Sequence, residues 1–265
     1  MLAPNIIFKQ GLYEGFLDQL PFKLTNGQEF ALKDILSDLT QTIPMHRLLQ
    51  GDVGAGKTVV AAIAAIQAIG NGYQVALMAP TEILANQHYQ SFTKILDMVQ
   101  ISCALIIGKQ PKKERKNILT ALKDGKINII IGTHALIQKK VEFKNLGLIV
   151  VDEQHRFGVV QRGNLLEKGF HPHLLAMTAT PIPRTMAITY HCDMDLSIID
   201  EMPKNRIPVV TKIVHEARMK KVYKFLTDEV SEGRQCMVVY PLVKETEKSD
   251  LAAATACFQG AKSRV

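Results

Sequence analysis

The chain has 265 residues, of which 47% are hydrophobic and 22% are charged. This composition excludes an intrinsically disordered chain, a collagen-like repeat and a small disulfide-stapled domain, and the length suffices for about two domains. Lysine and arginine outnumber aspartate and glutamate by 32 to 25, and the resulting net charge of +7 permits a nucleic-acid partner without demonstrating one.

Short apolar runs alternate with longer amphipathic stretches along the chain. The apolar runs suit strands that are buried on both faces. We predict strands at 47–49, 75–79, 101–107, 127–131, 146–151, 174–177, 209–214 and 237–240. We predict helices at 58–69, 82–99, 111–122, 183–191 and 217–232. This alternation predicts an α/β fold with a mainly parallel sheet and helices on both faces.

The segment 201–208 contains two prolines and few apolar residues, which is typical of a linker. We therefore expect a lead-in segment at 1–24, a complete α/β domain at 25–200 and only the beginning of a second domain at 209–265. The longest mainly apolar stretch, 59–69, is too short to cross a bilayer. The first ten residues lack the pattern of a signal peptide, and the four cysteines lack the spacing of a metal site.

One octapeptide has the pattern of a phosphate-binding loop. The residues in question are Gly51, Asp52, Val53, Gly54, Ala55, Gly56, Lys57 and Thr58, and they fit G-x-x-x-x-G-K-[ST] between a predicted strand and a predicted helix. The glycines allow a tight turn that directs backbone N–H groups at a phosphate, and the start of the helix adds positive charge. Lys57 is expected to contact the β- and γ-phosphates, and the Thr58 hydroxyl is expected to bind Mg²⁺.

Two carboxylates follow directly on the predicted strand 146–151. The carboxyl end of a strand is where open α/β sheets place the groups that contact ligands. We expect Asp152 to hold Mg²⁺ through water and Glu153 to activate the water that attacks the γ-phosphate. Lys57, Asp152 and Glu153 are thus the predicted catalytic residues.

These motifs and several others occur in the order found in superfamily 2 helicases. The sequence Asp-Glu-Gln-His at 152–155 resembles motif II, and 24–28, 80–85, 132–136 and 178–181 resemble the glutamine motif and motifs Ia, Ib and III. Longer blocks are similar to the RecG family of bacterial ATP-dependent DNA helicases, which remodel stalled forks and branched junctions: GDVGAGKTVVA, MAPTEILANQHY, IGTHALIQ, VVDEQHRFGVVQR and LLAMTATPIPRTMA. Gly27 departs from that pattern, since the family more often has alanine before the glutamine.

This resemblance implies a RecA-like first motor lobe followed by the start of a second one, with ATP and Mg²⁺ as cofactors. It implies that Gln28 reads the adenine base. It further implies a set of residues that contact DNA, namely Thr81, Thr133, His134 and Arg162. Finally, it implies a set that couples the nucleotide site to DNA, namely Gln154, His155, Thr178, Thr180 and Arg184.

The expected partners are branched or forked DNA such as Holliday junctions, a second motor lobe and an N-terminal wedge domain, with no membrane. The wedge domain and the remainder of the second lobe are absent from these 265 residues, which also contain no Q-x-x-G-R-x-G-R-like segment. We therefore expect ATP binding, weak hydrolysis and no unwinding by this chain alone. A bacterial cytoplasmic location near the nucleoid follows from the same resemblance.

Three alternatives remain open at this point. The translocase module of transcription-repair coupling factors shares much of these motif sequences, although it typically has glutamate at the position of Gln154. A P-loop kinase or small-molecule ATPase would not need the threonines of the helicase motifs. A non-catalytic ATP-binding module would not need Lys57, Thr58, Asp152 and Glu153 to be chemically intact.

Overall fold

The computed structural model describes residues 2–96, 101–108, 110–153, 157, 159–180, 194–201 and 209–239, with the backbone alone at 159–162 and 216. The chain divides into two compact units, Met1–Arg206 and Ile207–Val265. Among the described residues, no helix combines the length and the apolar character needed to cross a bilayer.

The first unit alternates strands and helices. Its strands are β1 (His46–Gly51), β2 (Gln74–Met78), β3 (Cys103–Ile106), β4 (Ile129–Gly132), β5 (Leu146–Asp152), β6 (His173–Thr178) and β7 (Asp195–Ile199). Its helices are α1 (Gln10–Leu17), α2 (Asn26–Leu39), α3 (Lys57–Gly70), α4 (Glu82–Leu96), α5 (Lys112–Lys123) and α6 (Val159–Leu166), with a 3₁₀ turn at His134–Ile137.

The seven strands form one sheet in the order β3-β4-β2-β5-β6-β1-β7, and every pairing is parallel. The predicted fold class is therefore confirmed: this is a RecA-like α/β domain. Six predicted strands of this unit are present, with ends that shift by up to two residues. The sequence did not reveal β7, because this edge strand has polar residues at Asp195 and Ser197 within only five positions.

Two apolar clusters cover the two faces of the sheet. Side chains alternate across a strand, so Val75 and Leu77 belong to one cluster, whereas Ala76 and Met78 belong to the other. The first cluster includes side chains of α1 to α4, and the second includes side chains of α5 and α6. Helices thus lie on both faces, as the sequence predicts, and they leave the carboxyl edge of the sheet for the functional groups.

The first residues of the chain are fixed to the end of α3. The amide of Gln67 accepts from the backbone N–H of Lys9 at 2.8 Å and donates to the Lys9 carbonyl at 3.2 Å. Asn71 bonds the backbone of Ile7 in the same manner, at 3.2 and 2.8 Å. The two amide side chains thus pair with the backbone of Ile7 and Lys9 as the backbone of a neighbouring strand would. The segment before α1 therefore packs as part of the first unit.

Three helix predictions of the first unit can be compared with the structure. The predictions at 58–69 and 111–122 agree with α3 and α5 to within one residue, and the prediction at 82–99 agrees with α4 up to Leu96. The prediction at 183–191 lies outside the described residues. The helices α1, α2 and α6 were not predicted from the sequence.

The described part of the second unit contains one α-helix, α7 (Met219–Ser231), after a 3₁₀ turn at Glu216–Arg218. The helix prediction at 217–232 is confirmed. The strand predictions at 209–214 and 237–240 are wrong for the described residues, which are in neither strand nor helix at 209–215 and 234–239. Apolar β-branched residues favour an extended backbone, but a strand also needs a hydrogen-bonded neighbour. Val209 and Val239 instead remain more than 80% exposed.

Candidate nucleotide and nucleic-acid site

The predicted catalytic segments meet at the carboxyl ends of three adjacent strands, β5, β6 and β1. The parallel register pairs Gln50 at the end of β1 with Thr178 at the end of β6, and Met177 of β6 with Asp152 of β5. Residues that are up to 128 positions apart in the sequence therefore stand at one level of the sheet. This is the edge at which open α/β folds bind their ligands.

The phosphate loop connects β1 to α3 through the tight turn that its glycines predict. Gly54 and Gly56 have φ angles of +83° and +88°, in the left-handed region that favours glycine. The Lys57 Nζ donates to the carbonyl oxygens of Gly51 at 2.7 Å and Asp52 at 3.0 Å. The ammonium group is thus held inside the loop where a phosphate would lie, and Thr58 is half-buried beside it.

The charge of Lys57 is balanced by three carboxylates of the site. Burial lowers the pKa of the Lys57 ammonium, and the negative charges of Asp152, Glu153 and Asp52 oppose that shift. Carboxylates from the end of β5 therefore act electrostatically on the lysine of the loop after β1. The predicted catalytic residues Lys57, Asp152 and Glu153 are brought together by the fold.

Gln28 contacts the phosphate loop, a contact that the sequence did not reveal. The side chain is 3% exposed and forms a capping box with Thr25 at the start of α2. Its Nε2 donates to the Ala55 carbonyl at 2.8 Å, and its Oε1 accepts from the Thr25 N–H at 3.0 Å. Gln28 therefore links α2 to the loop directly, while its reading of adenine stays a prediction.

Glu153 is bonded to the end of β6. Its Oε1 accepts from the Ala179 N–H at 3.2 Å, and its Oε2 accepts from the Thr178 hydroxyl at 3.4 Å. The hydroxyls of Thr178 and Thr180 are 2.8 Å apart. Glu153 itself has a φ of +51°, an uncommon conformation for a residue other than glycine and one that clusters at functional sites.

Asp152 has a partner that the sequence reasoning missed. The His88 Nε2 lies 2.7 Å from the Asp152 Oδ2, and both side chains are 12% exposed. His88 stands within the block MAPTEILANQHY, but helical periodicity gives a histidine on α4 no distinguishing signal. The contact depends on how α4 packs beside the end of β5, 64 positions later in the chain.

The side chains of the site fit ATP with Mg²⁺. A Thr58 hydroxyl and an Asp152 carboxylate are hard oxygen donors, and Mg²⁺ is usually held by one or two such groups together with substrate phosphates and water. The left-handed glycines and the start of α3 suit a polyphosphate. The remaining loop residues, Asp52 and Val53, are exposed, whereas Gly51 and Ala55 are buried.

The predicted DNA contacts differ in accessibility. Thr81 is exposed, and its hydroxyl caps α4 by accepting from the Leu84 N–H at 3.2 Å. His134 is exposed as well. Thr133 is only 2% exposed, and its hydroxyl has no hydrogen-bond partner among the described residues. In this conformation the Thr133 side chain is therefore not available to a DNA phosphate.

The side chains of the other predicted DNA-binding and coupling residues lie outside the described part of the chain. The structure describes the backbone of Arg162 in α6 but not its side chain. Gln154, His155 and Arg184 lie outside the described residues. Of the predicted coupling set, Thr178 and Thr180 are therefore the two whose contacts are described.

A comparison with known families decides which group of P-loop proteins this is. Residues 25–188 match the model of the family described as DEAD/DEAH box helicase, a span that includes the loop, both carboxylates and the threonines at the end of β6. The chain belongs to the DEAD/DEAH box helicase family. Membership of this family rules out the P-loop kinase alternative.

Within this helicase family, the chain is similar to RecG over most of its length. The ATP-dependent DNA helicase RecG of Aquifex aeolicus (strain VF5) is 49% identical over 255 residues, which cover 96% of this chain and 32% of that protein. A solved structure of RecG bound to a three-way DNA junction has a TM-score of 0.80 and 45% identity over 91% of this chain and 32% of its own. The resemblance to RecG is therefore confirmed, and the chain spans about a third of the length of these relatives.

The fold extends to more distant helicases of this family. The DEAD-box helicase Mss116, solved with single-stranded RNA and UDP-BeF, has a TM-score of 0.61 at 20% identity and covers 86% of this chain. At that identity the likeness concerns the fold alone.

Proposed function

We propose that this chain is the ATP-binding motor lobe of a RecG-type DNA helicase, which couples ATP hydrolysis to the remodelling of forks and Holliday junctions. The observation that carries the proposal is the convergence of Lys57, Asp152 and Glu153 at the ends of neighbouring strands, with Glu153 bonded to the residues after β6. The bond from Glu153 joins the hydrolysis site to the segment that carries the predicted coupling residues Thr178 and Thr180.

Each side chain of the site would have a separate role in ATP hydrolysis. Lys57 would exchange its loop carbonyls for the phosphates, and the backbone N–H groups around Gly54 and Gly56 would hold the same group. Thr58 and Asp152 would hold Mg²⁺, which when bound neutralises phosphate charge. Glu153 would orient the attacking water and accept its proton as the new bond to the γ-phosphorus forms. The bond from that phosphorus to the β–γ bridging oxygen would break in the same step, and ADP would leave with the electron pair.

Coupling to DNA is proposed to pass through the end of β6. Thr178 and Thr180 share a hydrogen bond, and Thr178 also contacts Glu153. When phosphate leaves, these hydroxyls can exchange partners, and the end of β6 would change with them. Gln154, His155 and Arg184 complete the proposed coupling set.

DNA phosphates are proposed to bind above the carboxyl ends of β2 and β4. Thr81 and His134 are exposed there, while Arg162 on α6 is a further proposed contact. Contacts to phosphates provide position and affinity without reading the sequence, as a motor that moves along any DNA requires. For Thr133, whose hydroxyl is buried, the proposed contribution is restricted to its backbone.

The rest of the motor is proposed to lie in a second lobe, of which 209–265 is the start, and in a wedge domain that grips branched DNA. An arginine supplied by a second lobe is typically worth about 10³–10⁵ in rate. We therefore propose that the 265 residues bind ATP but hydrolyse it poorly and do not unwind DNA. The family resemblance also suggests a cytoplasmic, nucleoid-associated location.

The alternative is the translocase module of a transcription-repair coupling factor. The similarity to RecG at 49% identity over 96% of the chain favours the RecG proposal. A non-catalytic ATP-binding module is disfavoured because the lysine and both carboxylates are present, and both carboxylates act electrostatically on the lysine.

The test is ATP hydrolysis and binding of a fluorescent ATP analogue by this chain, with and without a branched DNA junction. We expect Lys57→Ala to abolish analogue binding, while Lys126→Ala, a control at an exposed lysine, leaves it intact. Turnover should be negligible for all three proteins.

Two outcomes would contradict the proposal. Rapid, DNA-stimulated turnover by this chain would mean that hydrolysis needs no arginine from a second lobe. Analogue binding that persists in Lys57→Ala would mean that the loop is not the nucleotide site.

A further inference from the structure

His88 is a side chain beside the catalytic residues to which the helicase motifs assign no role. It lies in the middle of α4, and its side chain is 12% exposed. Its Nε2 is 2.7 Å from the Oδ2 of Asp152, a distance typical of a strong hydrogen bond to a charged acceptor. Since a carboxylate oxygen accepts, the Nε2–H of the imidazole donates.

We propose that His88 is a positioning residue that holds the Asp152 carboxylate in the orientation needed to bind the metal of the metal–nucleotide complex. The inference rests on the proposed function, which makes Asp152 a metal-binding residue. A carboxylate has about four lone-pair sites, so one hydrogen bond leaves acceptor capacity for a metal ion or its water. Mutation of a group that orients a metal ligand in this way typically lowers metal affinity or activity by about 10–100-fold.

The helix that carries His88 is anchored well enough to hold a carboxylate. Ala85, Phe92 and Leu96 of α4 are fully buried in the core. Asp152 is the last residue of β5, a strand buried along its whole length. The donor and the acceptor therefore both stand on rigid elements, which is the requirement for precise positioning.

The same helix begins at the proposed DNA contact. The Thr81 hydroxyl caps α4, and the Thr81 carbonyl accepts from the Ala85 N–H at 2.9 Å. His88 comes seven residues after Thr81, about 10 Å along the axis at 1.5 Å per residue. The proposed DNA contact and the residue that positions Asp152 therefore lie on one helix, about two turns apart.

The test uses the 265-residue chain with Mn²⁺ and ADP, because Mn²⁺ replaces Mg²⁺ and free Mn²⁺ is counted by electron paramagnetic resonance. Nucleotide binding without metal is measured separately, with a fluorescent ADP in EDTA. We expect His88→Phe, which keeps the ring volume but removes the donor, to weaken Mn²⁺ binding by about 10–100-fold. Fluorescent ADP in EDTA should bind as it does to the unaltered chain.

Conservative variants separate positioning from packing. The amide nitrogen of His88→Gln can take the place of Nε2, whereas that of His88→Asn falls short, so Mn²⁺ affinity should return in the first and not in the second. Gln90→Ala, at an exposed position of α4, is the matched control and should behave like the unaltered chain. If His88→Phe does not fold, the glutamine and asparagine pair decides the question.

The proposal is overturned if His88→Phe or His88→Asn binds Mn²⁺ as tightly as the unaltered chain. It is also overturned if these variants lose ADP binding in EDTA to the same extent, because the defect would then be a general loss of the site. If the unaltered chain binds neither ADP nor Mn²⁺–ADP, the proposed function itself fails, which distinguishes the two failures.

Discussion

At the scale of single residues, two glycines near the nucleotide site have opposite requirements. Gly56 has a φ of +88°, and a Cβ added there would stand 2.1 Å from the Gln28 Nε2. Gly27 lies in the first turn of α2, and a Cβ added there would meet its nearest atom, the Asp200 Oδ1, at an ordinary 3.5 Å. The first glycine is required by the backbone and by a close contact, whereas the second is not.

We expect Gly56→Ala to destabilise the loop by about 1–3 kcal/mol and to abolish binding of a fluorescent ATP analogue, because the left-handed conformation is strained for alanine and Gln28 is displaced. Gly27→Ala should instead raise the unfolding free energy by about 0.4–1 kcal/mol by restricting the unfolded chain, with binding retained. Urea denaturation and analogue titration measure both. If both variants changed the unfolding free energy and the analogue affinity by the same amount, the left-handed conformation of Gly56 would not be what makes this glycine necessary.

At the scale of elements, one arginine joins α2, β1 and β7. The Arg47 Nε donates to the Asp38 Oδ2 at 2.6 Å, and its Nη1 donates to the Ser197 hydroxyl at 2.9 Å. Ser197 in turn donates to the Asp34 Oδ2 at 2.7 Å. The cluster holds the edge strand β7 beside β1. Because Arg47 precedes the phosphate loop in β1, the cluster supports the strand that leads into the loop without contacting the loop itself.

Arg47→Met retains much of the side-chain volume but leaves Asp38 and Ser197 without their donor. Removing one partner of a fully buried ion pair costs about 3–5 kcal/mol, and we expect about 1–3 kcal/mol here because Asp38 is partly exposed. Urea denaturation should report this loss, and Lys33→Met, at an exposed site on α2, should report little. Analogue affinity should remain unchanged in the folded protein. A loss of binding as large as that of Gly56→Ala would mean that the cluster belongs to the site.

At the scale of the whole molecule, a buried histidine connects the start of the chain to the sheet. The His173 Nδ1 accepts from the Met45 N–H at 3.0 Å, so its Nε2–H donates to the Pro4 carbonyl at 2.8 Å. Burial lowers the pKa of this imidazole, with the Pro4 bond and the charge of Asp38 opposing the shift and His46 adding to it. The folded protein therefore requires neutral His173.

This requirement makes the first unit less stable in acid. As the pH falls below the ordinary histidine pKa of about 6.5, the unfolded chain takes up a proton that the folded state resists, so stability is full above that pH and declines below it. The slope from this single group reaches at most about 1.4 kcal/mol per pH unit. Urea denaturation between pH 7.5 and pH 5, both values about one unit or more from the ordinary pKa, measures it.

His173→Gln removes the titrating group and should flatten this dependence, while His134→Gln, at an exposed position, should retain it. If the unaltered chain and His173→Gln lose stability equally in acid, the acid sensitivity arises from other groups and the interpretation of His173 is wrong.

The local patterns of the sequence were sufficient for much of this protein. The octapeptide at 51–58 predicted a tightly turned glycine loop at the start of a helix, because these features depend on residues a few positions apart. The structure adds that Gly54 and Gly56 of this loop have left-handed φ angles. Runs of buried apolar residues predicted six strands and hence the parallel α/β fold. Asp152 and Glu153 were found in the same way, as carboxylates directly after such a run.

The tertiary structure alone decided which side chains meet. The hydrogen bonds of His88 to Asp152 and of Gln28 to Ala55 join elements that are distant in the sequence, and they depend on the order of strands and the placement of helices. Burial of Thr133 likewise follows from packing, since a threonine after a strand is equally compatible with an exposed contact. The valines at 209–214 show the same limit, because a residue pattern can favour an extended backbone but cannot supply the neighbouring strand that would make it part of a sheet.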